Sequence, residues 1–234
     1  MEKSDTMIVR PKPRYEIEGR KYFSVTQILH KGLPTPPSLI KWLDSTPNAA
    51  SYTRDRATIG TTTHWKIQRF LARKFNLVPD IIRLDDTSVL LHDDTNCKDK
   101  CSLCKRHNIM VAAIDVIWSY WLDFFESNKV EPIFLEKTVW DDELGYAGTL
   151  DFFGYVNDVL TLMDFKTFKA LYDDHSYGAQ QAAYSHCLAK QGNKPDQIAL
   201  LRLNETTGFE FIPILDNWDL FERALTEFNK KINP

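Results

Sequence analysis

The stretch from Tyr146 to Lys166 constrains this chain more than any other. Two runs rich in aromatic and β-branched residues, Tyr146–Val156 and Val159–Lys166, are separated only by Asn157-Asp158, which reads as two strands joined by a two-residue turn. With Asn157-Asp158 as the loop, Val156 opposes Val159 and opposed residue numbers keep a constant sum. Asp151 then faces Asp164, Tyr155 faces Leu160, Phe153 faces Leu162, and Lys166 lies opposite Thr149. Directly opposed side chains have Cβ atoms about 4.5–5.5 Å apart, and like charges there are destabilising unless a cation lies between them. One face therefore ends in two carboxylates and an amine. Oxygen ligands with room for water suit Mg²⁺ or Mn²⁺, and such an ion beside an ammonium polarises a phosphate and activates water, the chemistry of phosphodiester hydrolysis. The bland alternative is a solvated hairpin end whose Asp and Lys simply pair; apolar neighbours on both faces argue against that exposure.

The rest of the pattern is mixed. Residues 14–23 alternate around Glu18-Gly19-Arg20 as a small hairpin, Ser24 caps a helix through Leu29, and a proline-rich turn spans Pro34–Pro37. Helical spacing follows over Ser38–Asp44 and from about Ala50 to Phe75, although Gly60 and the three threonines after it are poor helix formers. Residues 79–107 lack periodicity and read as an insertion, and Asn108–Asn128 reads as a core helix. Ile133–Trp140 adds a strand to the hairpin, giving a three-stranded meander. Ser176–Ala189 is helical, Gln197–Leu203 and Phe209–Pro213 are strands, and Asp216–Lys231 closes the chain as a helix capped by Asp216. The expected class is α/β or α+β, in one domain over residues 1–234.

Composition adds exclusions. The longest apolar stretch, Ile109–Phe125, contains Asp115 and Asp123, short of the roughly 18 apolar residues of a membrane span, so no membrane helix is expected. Met1-Glu2-Lys3-Ser4-Asp5 lacks the order of a secretory signal, which suggests an intracellular, cytoplasmic protein with reduced cysteines. A net charge of -3 means that nucleic acid would have to meet local basic patches.

Three motifs occur in order: Gly148-Thr149-Leu150-Asp151, Asp164-Phe165-Lys166-Thr167 and Gln180-Gln181-Ala182-Ala183-Tyr184. In this the chain resembles the PD-(D/E)XK nuclease superfamily, in its RecB-like and phage or viral exonuclease branch, from about Tyr22 to the last strand. The resemblance implies a restriction-endonuclease-like core, a central mixed sheet flanked by helices, with an N-terminal helical part and a Cys-rich insertion. It implies Asp151 and Asp164 as metal ligands, the Phe165 carbonyl as a further oxygen, and Lys166 orienting or deprotonating the attacking water. It also implies that His64, four residues after Gly60, reaches the metal. Members commonly carry Glu four residues beyond that histidine, where this chain has Gln68. Taken alone, His64 reads as a surface or hydrogen-bonded core histidine.

Glu136, on the preceding strand, is a candidate accessory acid or second-ion ligand, or else the partner of Lys137 or another base in a surface ion pair. Gln180 and Tyr184 share a helix face; the resemblance gives the glutamine a positioning role. Cys97, Cys101, Cys104 and His107 have the spacing of a structural zinc site, with His92 a competing ligand and an iron–sulfur cluster completed by Cys187 the rival. Arg69 and Lys169 are candidate DNA contacts among several basic residues that also suit solvated faces. Trp42 and Tyr52 read as core aromatics before base-stacking groups. The expected activity is a Mg²⁺- or Mn²⁺-dependent deoxyribonuclease, an exonuclease of recombination, repair or replication that works with proteins of those processes. The alternatives are a structure- or site-specific endonuclease and a non-cleaving DNA-binding module.

Overall fold

A computed structural model describes residues 11–80, 102–168 and 176–232. The first hairpin joins β1 (Tyr15–Ile17) to β2 (Arg20–Ser24) through Glu18 and Gly19, whose φ angles of 51° and 78° match the right-handed twist of the flanking strands. Ser24 caps α1 (Val25–Gly32), its Oγ accepting from the Gln27 N–H while the Gln27 side chain returns to the Ser24 N–H. This reciprocal pair satisfies two of the helix's orphan donors. Next come α2 (Pro37–Ser45) and the long α3 (Ala49–Phe75), then α4 (Ser102–Ser127).

The meander follows as β3 (Val130–Asp141), β4 (Tyr146–Val156) and β5 (Val159–Lys166). Asn157 and Asp158 both have positive φ, 51° and 66°, and five pairs from Val156↔Val159 to Phe152↔Met163 keep the constant-sum register. Helix α5 (Ser176–Lys190) crosses over to β6 (Gln197–Asn204), which runs parallel to β5. Strand β7 (Gly208–Pro213) pairs antiparallel with β6, and α6 (Trp218–Ile232) closes the fold. The described residues thus form a seven-stranded mixed sheet flanked by helices, the α/β architecture expected.

Two apolar clusters form around the sheet. One joins α1, α5 and α6 to it through Ile28, Tyr146, Ala183, Phe221 and Phe228; the other joins α3 and α4 through Ile67, Leu71, Trp121, Phe124 and Phe165. By length and composition alone Cys104–Ser127 could cross a membrane. In this fold Ile114, Ile117, Trp121 and Phe124 form its buried face, packed in the cluster it shares with α3.

Three expectations change. Helix α4 begins at Ser102 rather than Asn108, because the polar run Lys105-Arg106-His107-Asn108 forms its half-buried to exposed first turns. Helix α6 begins at Trp218: Asn217 Oδ1 accepts from the Leu220 N–H at 3.3 Å, while Asp216 takes the Trp218 N–H at 2.9 Å. Trp42 is not a core residue. No residue of α2 is buried, and Trp42 meets Tyr52, which is exposed and likewise not in the core, with ring centroids 5.8 Å apart and planes tilted by 56°.

The β3–β4 turn is clasped to α5 by one buried carboxylate. Asp141 accepts from the N–H groups of Glu143 and Leu144, each at 2.9 Å, and pairs with His186 at 3.1 Å and Lys190 at 2.8 Å. Burial alone would raise this carboxyl; the bonds from Lys190 and the two N–H groups outweigh it and hold it below the usual aspartate range. A lowered value stabilises the fold above the unfolded pKa and is lost as pH falls. Asp141→Ala is expected to cost about 2–4 kcal/mol in denaturant titrations at pH 7. The parent should lose that advantage as pH drops below about 4, narrowing the gap between the two.

Candidate active site

Strand β4 has different neighbours at its two ends. One edge pairs with β3 along nearly its whole length; the other meets β2 at Tyr146 and Ala147, and β5 only from Phe152 onward. Residues 148–151 lie between those two ladders, where the sheet forks. Backbone groups near the fork turn to side chains: the Phe165 N–H donates to Asp151 Oδ2 at 2.9 Å, and the Phe165 carbonyl lies 2.8 Å from His64 Nε2. A carbonyl only accepts, so Nε2 is the protonated nitrogen in this arrangement. His64 Nδ1 is 3.4 Å from Asp151 Oδ1. The expected partners His64, Asp151 and the Phe165 carbonyl therefore converge.

The helix bearing His64 is drawn close by its small residues. A Cβ on Gly60 would stand 3.2 Å from Thr167 Oγ1, so the close approach that glycine permits is to the end of β5. One turn earlier, Arg56 donates to the Thr167 carbonyl and pairs with Glu205 at 2.7 Å. Gln68, one turn beyond His64, is buried.

Glu136 joins the same site. Leu135↔Phe152 and Lys137↔Leu150 flank it in the β3–β4 register, which sets it opposite Asp151. It is 1% exposed, and its φ is 46°. A non-glycine residue in that region costs on the order of 1–3 kcal/mol, and such strain collects at functional sites. Glu136 is buried rather than on the surface, and Lys137 reaches Asp80 at 3.1 Å. Ligand atoms of His64, Glu136 and Asp151 all lie within 4.8 Å of one another. This group can hold a metal ion.

Asp164 stands beside the trio with its Oδ2 2.6 Å from Lys166 Nζ. Burial pushes its carboxyl up, with repulsion from Asp151 adding to that, against the pull of Lys166. Burial alone would lower the Lys166 ammonium, but Asp164 and Asp151 prevail and hold it above the ordinary lysine value. Two buried carboxylates, Asp164 and Asp151, act on one ammonium with Glu136 close to Asp151, and histidine nitrogen with carboxylate oxygens is a donor set suited to a divalent cation.

Helix α5 supplies the wall. Gln180 Nε2 donates to Tyr184 Oη at 3.3 Å, so the two share a face as expected. Tyr184 is buried, and its phenol is pushed up first by burial, with Asp164 and Asp151 contributing; it remains a donor at neutral pH. A Cβ on Gly148 would lie 2.3 Å from the Tyr184 ring. The glycine of one motif is thus the seat of the tyrosine of another. Sequence reading missed Arg56, and also Tyr15, whose hydroxyl is 3.0 Å from Thr149 Oγ1. Neither carries a local signal, because both act across long sequence separations.

The remaining candidates lie elsewhere. Arg69 is exposed, with its guanidinium 5.2 Å from the Trp65 ring centre. Lys66 pairs with Asp115, and Arg106 with Asp55. Cys104 is buried on α4, and His107 is half-buried one turn further along. Cys97, Cys101, His92 and Lys169 fall outside the described residues. Cys187 packs in the α5 cluster near Tyr146, its thiol pushed up to about 12 by burial, which suits an apolar role better than thiolate ligation.

No family model matches the chain, and the comparison with curated proteins found no match. Among solved structures, a Eubacterium rectale protein provisionally named an exonuclease is 12% identical, with a TM-score of 0.41, over 75% of this chain and 64% of that one. The chain thus spans less than two thirds of that protein. The protein SSO0001 is 9% identical, with a TM-score of 0.33, over 88% and 84% of the two chains. Likenesses this distant carry no argument about the chemistry.

The charge balance can be tested by calorimetry. Asp164→Asn should cost the metal-free protein less than the roughly 3–5 kcal/mol usual for loss of a buried ion-pair partner, since it also relieves the repulsion between Asp164 and Asp151. Saturating Mn²⁺ at about 100 times its Kd should stabilise the parent by about 3 kcal/mol. Asp151→Asn should show no such gain.

Proposed function

We propose that this protein is a divalent-metal-dependent deoxyribonuclease of the RecB-like kind, hydrolysing phosphodiester bonds at DNA ends. The observation that carries the reading is the meeting of His64, Glu136 and Asp151 with the Asp164–Lys166 pair at the fork of the sheet. His64, Asp151, Asp164 and the Phe165 carbonyl would hold Mg²⁺ or Mn²⁺, with Glu136 as a further acid. When bound, the ion supplies Lewis acidity and positive charge toward a phosphate.

The chain's own groups do the rest. Burial of the carboxylates keeps them fixed and poorly hydrated, so they need no reorganisation when charge develops on the substrate. Lys166 carries its proton at neutral pH and offers an ammonium to the phosphate or to the attacking water. The Phe165 N–H fixes the Asp151 carboxylate, and the Phe165 carbonyl, accepting from Nε2, orients the ring of His64. Gln180, half-buried on α5, offers an amide suited to phosphate oxygens on the strand being cut, with the buried Tyr184 hydroxyl behind it as its partner. A role in recombination, repair or replication, and partners from those processes, rests on the motif resemblance.

Asp151→Ala and Lys166→Ala are each expected to lower cleavage of linear duplex DNA at least about a hundredfold, with the circular dichroism spectrum retained. EDTA should stop the parent, and Mg²⁺ or Mn²⁺ in excess should restore it. Covalently closed circles should survive if ends are required; their cleavage would make the enzyme an endonuclease. Parental rates in either variant would remove the proposal.

A further inference from the structure

Lys166 is held by more than its carboxylate. Its Nζ lies 5.2 Å from the centre of the Tyr177 ring, in the first turn of α5 and outside the motifs read from the sequence. That ring is stacked on Phe168, with centroids 5.5 Å apart and planes 16° apart. Phe168 is fixed in turn, its carbonyl accepting from Asn204 Nδ2 at 3.0 Å, and Asn204 is fully buried at the end of β6. A lysine on one carboxylate keeps much of the freedom of its four-carbon stem; an aromatic face within cation–π range restricts it.

The geometry points to Tyr177 as a positioning residue, whose ring face holds the Lys166 ammonium beside Asp164 in the pose that serves the reaction. What Lys166 does there rests on the nuclease reading above, whereas the hold is a property of the metal-free chain. Two measurements separate them. One is acetylation of Lys166 by an amine-reactive ester, followed by peptide mass spectrometry on the metal-free full chain. The other is steady-state cleavage of linear duplex DNA with Mn²⁺.

Tyr177→Leu is expected to speed Lys166 acetylation several-fold and lower kcat about tenfold with KM within about twofold. Tyr177→Phe keeps the ring face and should stay within about twofold of the parent in both. If Tyr177→Leu leaves either readout at the parental value, or Tyr177→Phe falls as far as Tyr177→Leu, the assignment is overturned. A parent that cuts no DNA sinks the nuclease reading instead, and acetylation alone then decides whether the ring holds the amine. Should Tyr177→Leu fold poorly, p-cyanophenylalanine at position 177, of similar shape but with a weaker ring face, is expected to reproduce its effect on acetylation; a parental rate there overturns the hold.

Discussion

Crowding of acidic groups where two ladders part is the constraint on which the rest of this structure depends. Asp151, Asp164 and Glu136 are each about 5% exposed or less, and low-dielectric surroundings make their mutual repulsion expensive. One ammonium and a backbone N–H offset part of it. Such a centre persists only where the scaffold over-determines it. The surrounding elements do this: β3 pins β4 along its length, α3 is tied to the end of β5 through Arg56, and α5 is clasped to the β3–β4 turn through Asp141.

The fork also explains why unrelated stretches of chain meet there. Inside a continuous ladder, backbone N–H and C=O groups are consumed by the neighbouring strand. Where β4 and β5 part, the Phe165 amide and carbonyl turn to Asp151 and His64 instead. Backbone polarity is thereby converted into orientation of side chains, without leaving buried donors unsatisfied. The left-handed backbone of Glu136 belongs to the same economy of position, holding a carboxylate opposite Asp151.

Local chemistry made much of this readable in advance. The β4–β5 register from Val156↔Val159 to Phe152↔Met163 followed from a two-residue turn and a period of two, but the ladder ends before the expected pairs Asp151–Asp164 and Thr149–Lys166; the Ser24 cap and the span of α3 followed from side-chain type and spacing. Glu136 could not be assigned from sequence, because its place depends on register with a strand beyond an irregular step at Pro132/Phe134 and on a backbone angle that glutamate rarely adopts. The start of α4 was hidden because its first turns are polar and present no apolar stripe. Helix α2 has the apolar spacing of a packed helix, yet Leu39, Ile40 and Leu43 stay exposed; periodicity reports a face and not what covers it. Tyr15 and Arg56 act through partners distant in the chain, and Tyr177 acts on Phe168 and Lys166 from outside the motifs.

Gly148 and Tyr184 occupy a single volume between them, since a methyl group on the first would overlap the ring of the second. Inheritance should therefore treat the two positions as linked. Descendants that acquire a side chain at 148 are expected to trade the tyrosine for something smaller, and lineages retaining the aromatic should keep the bare backbone opposite. Motifs that look like separate signatures along the polymer are, at this point, two halves of one steric fact.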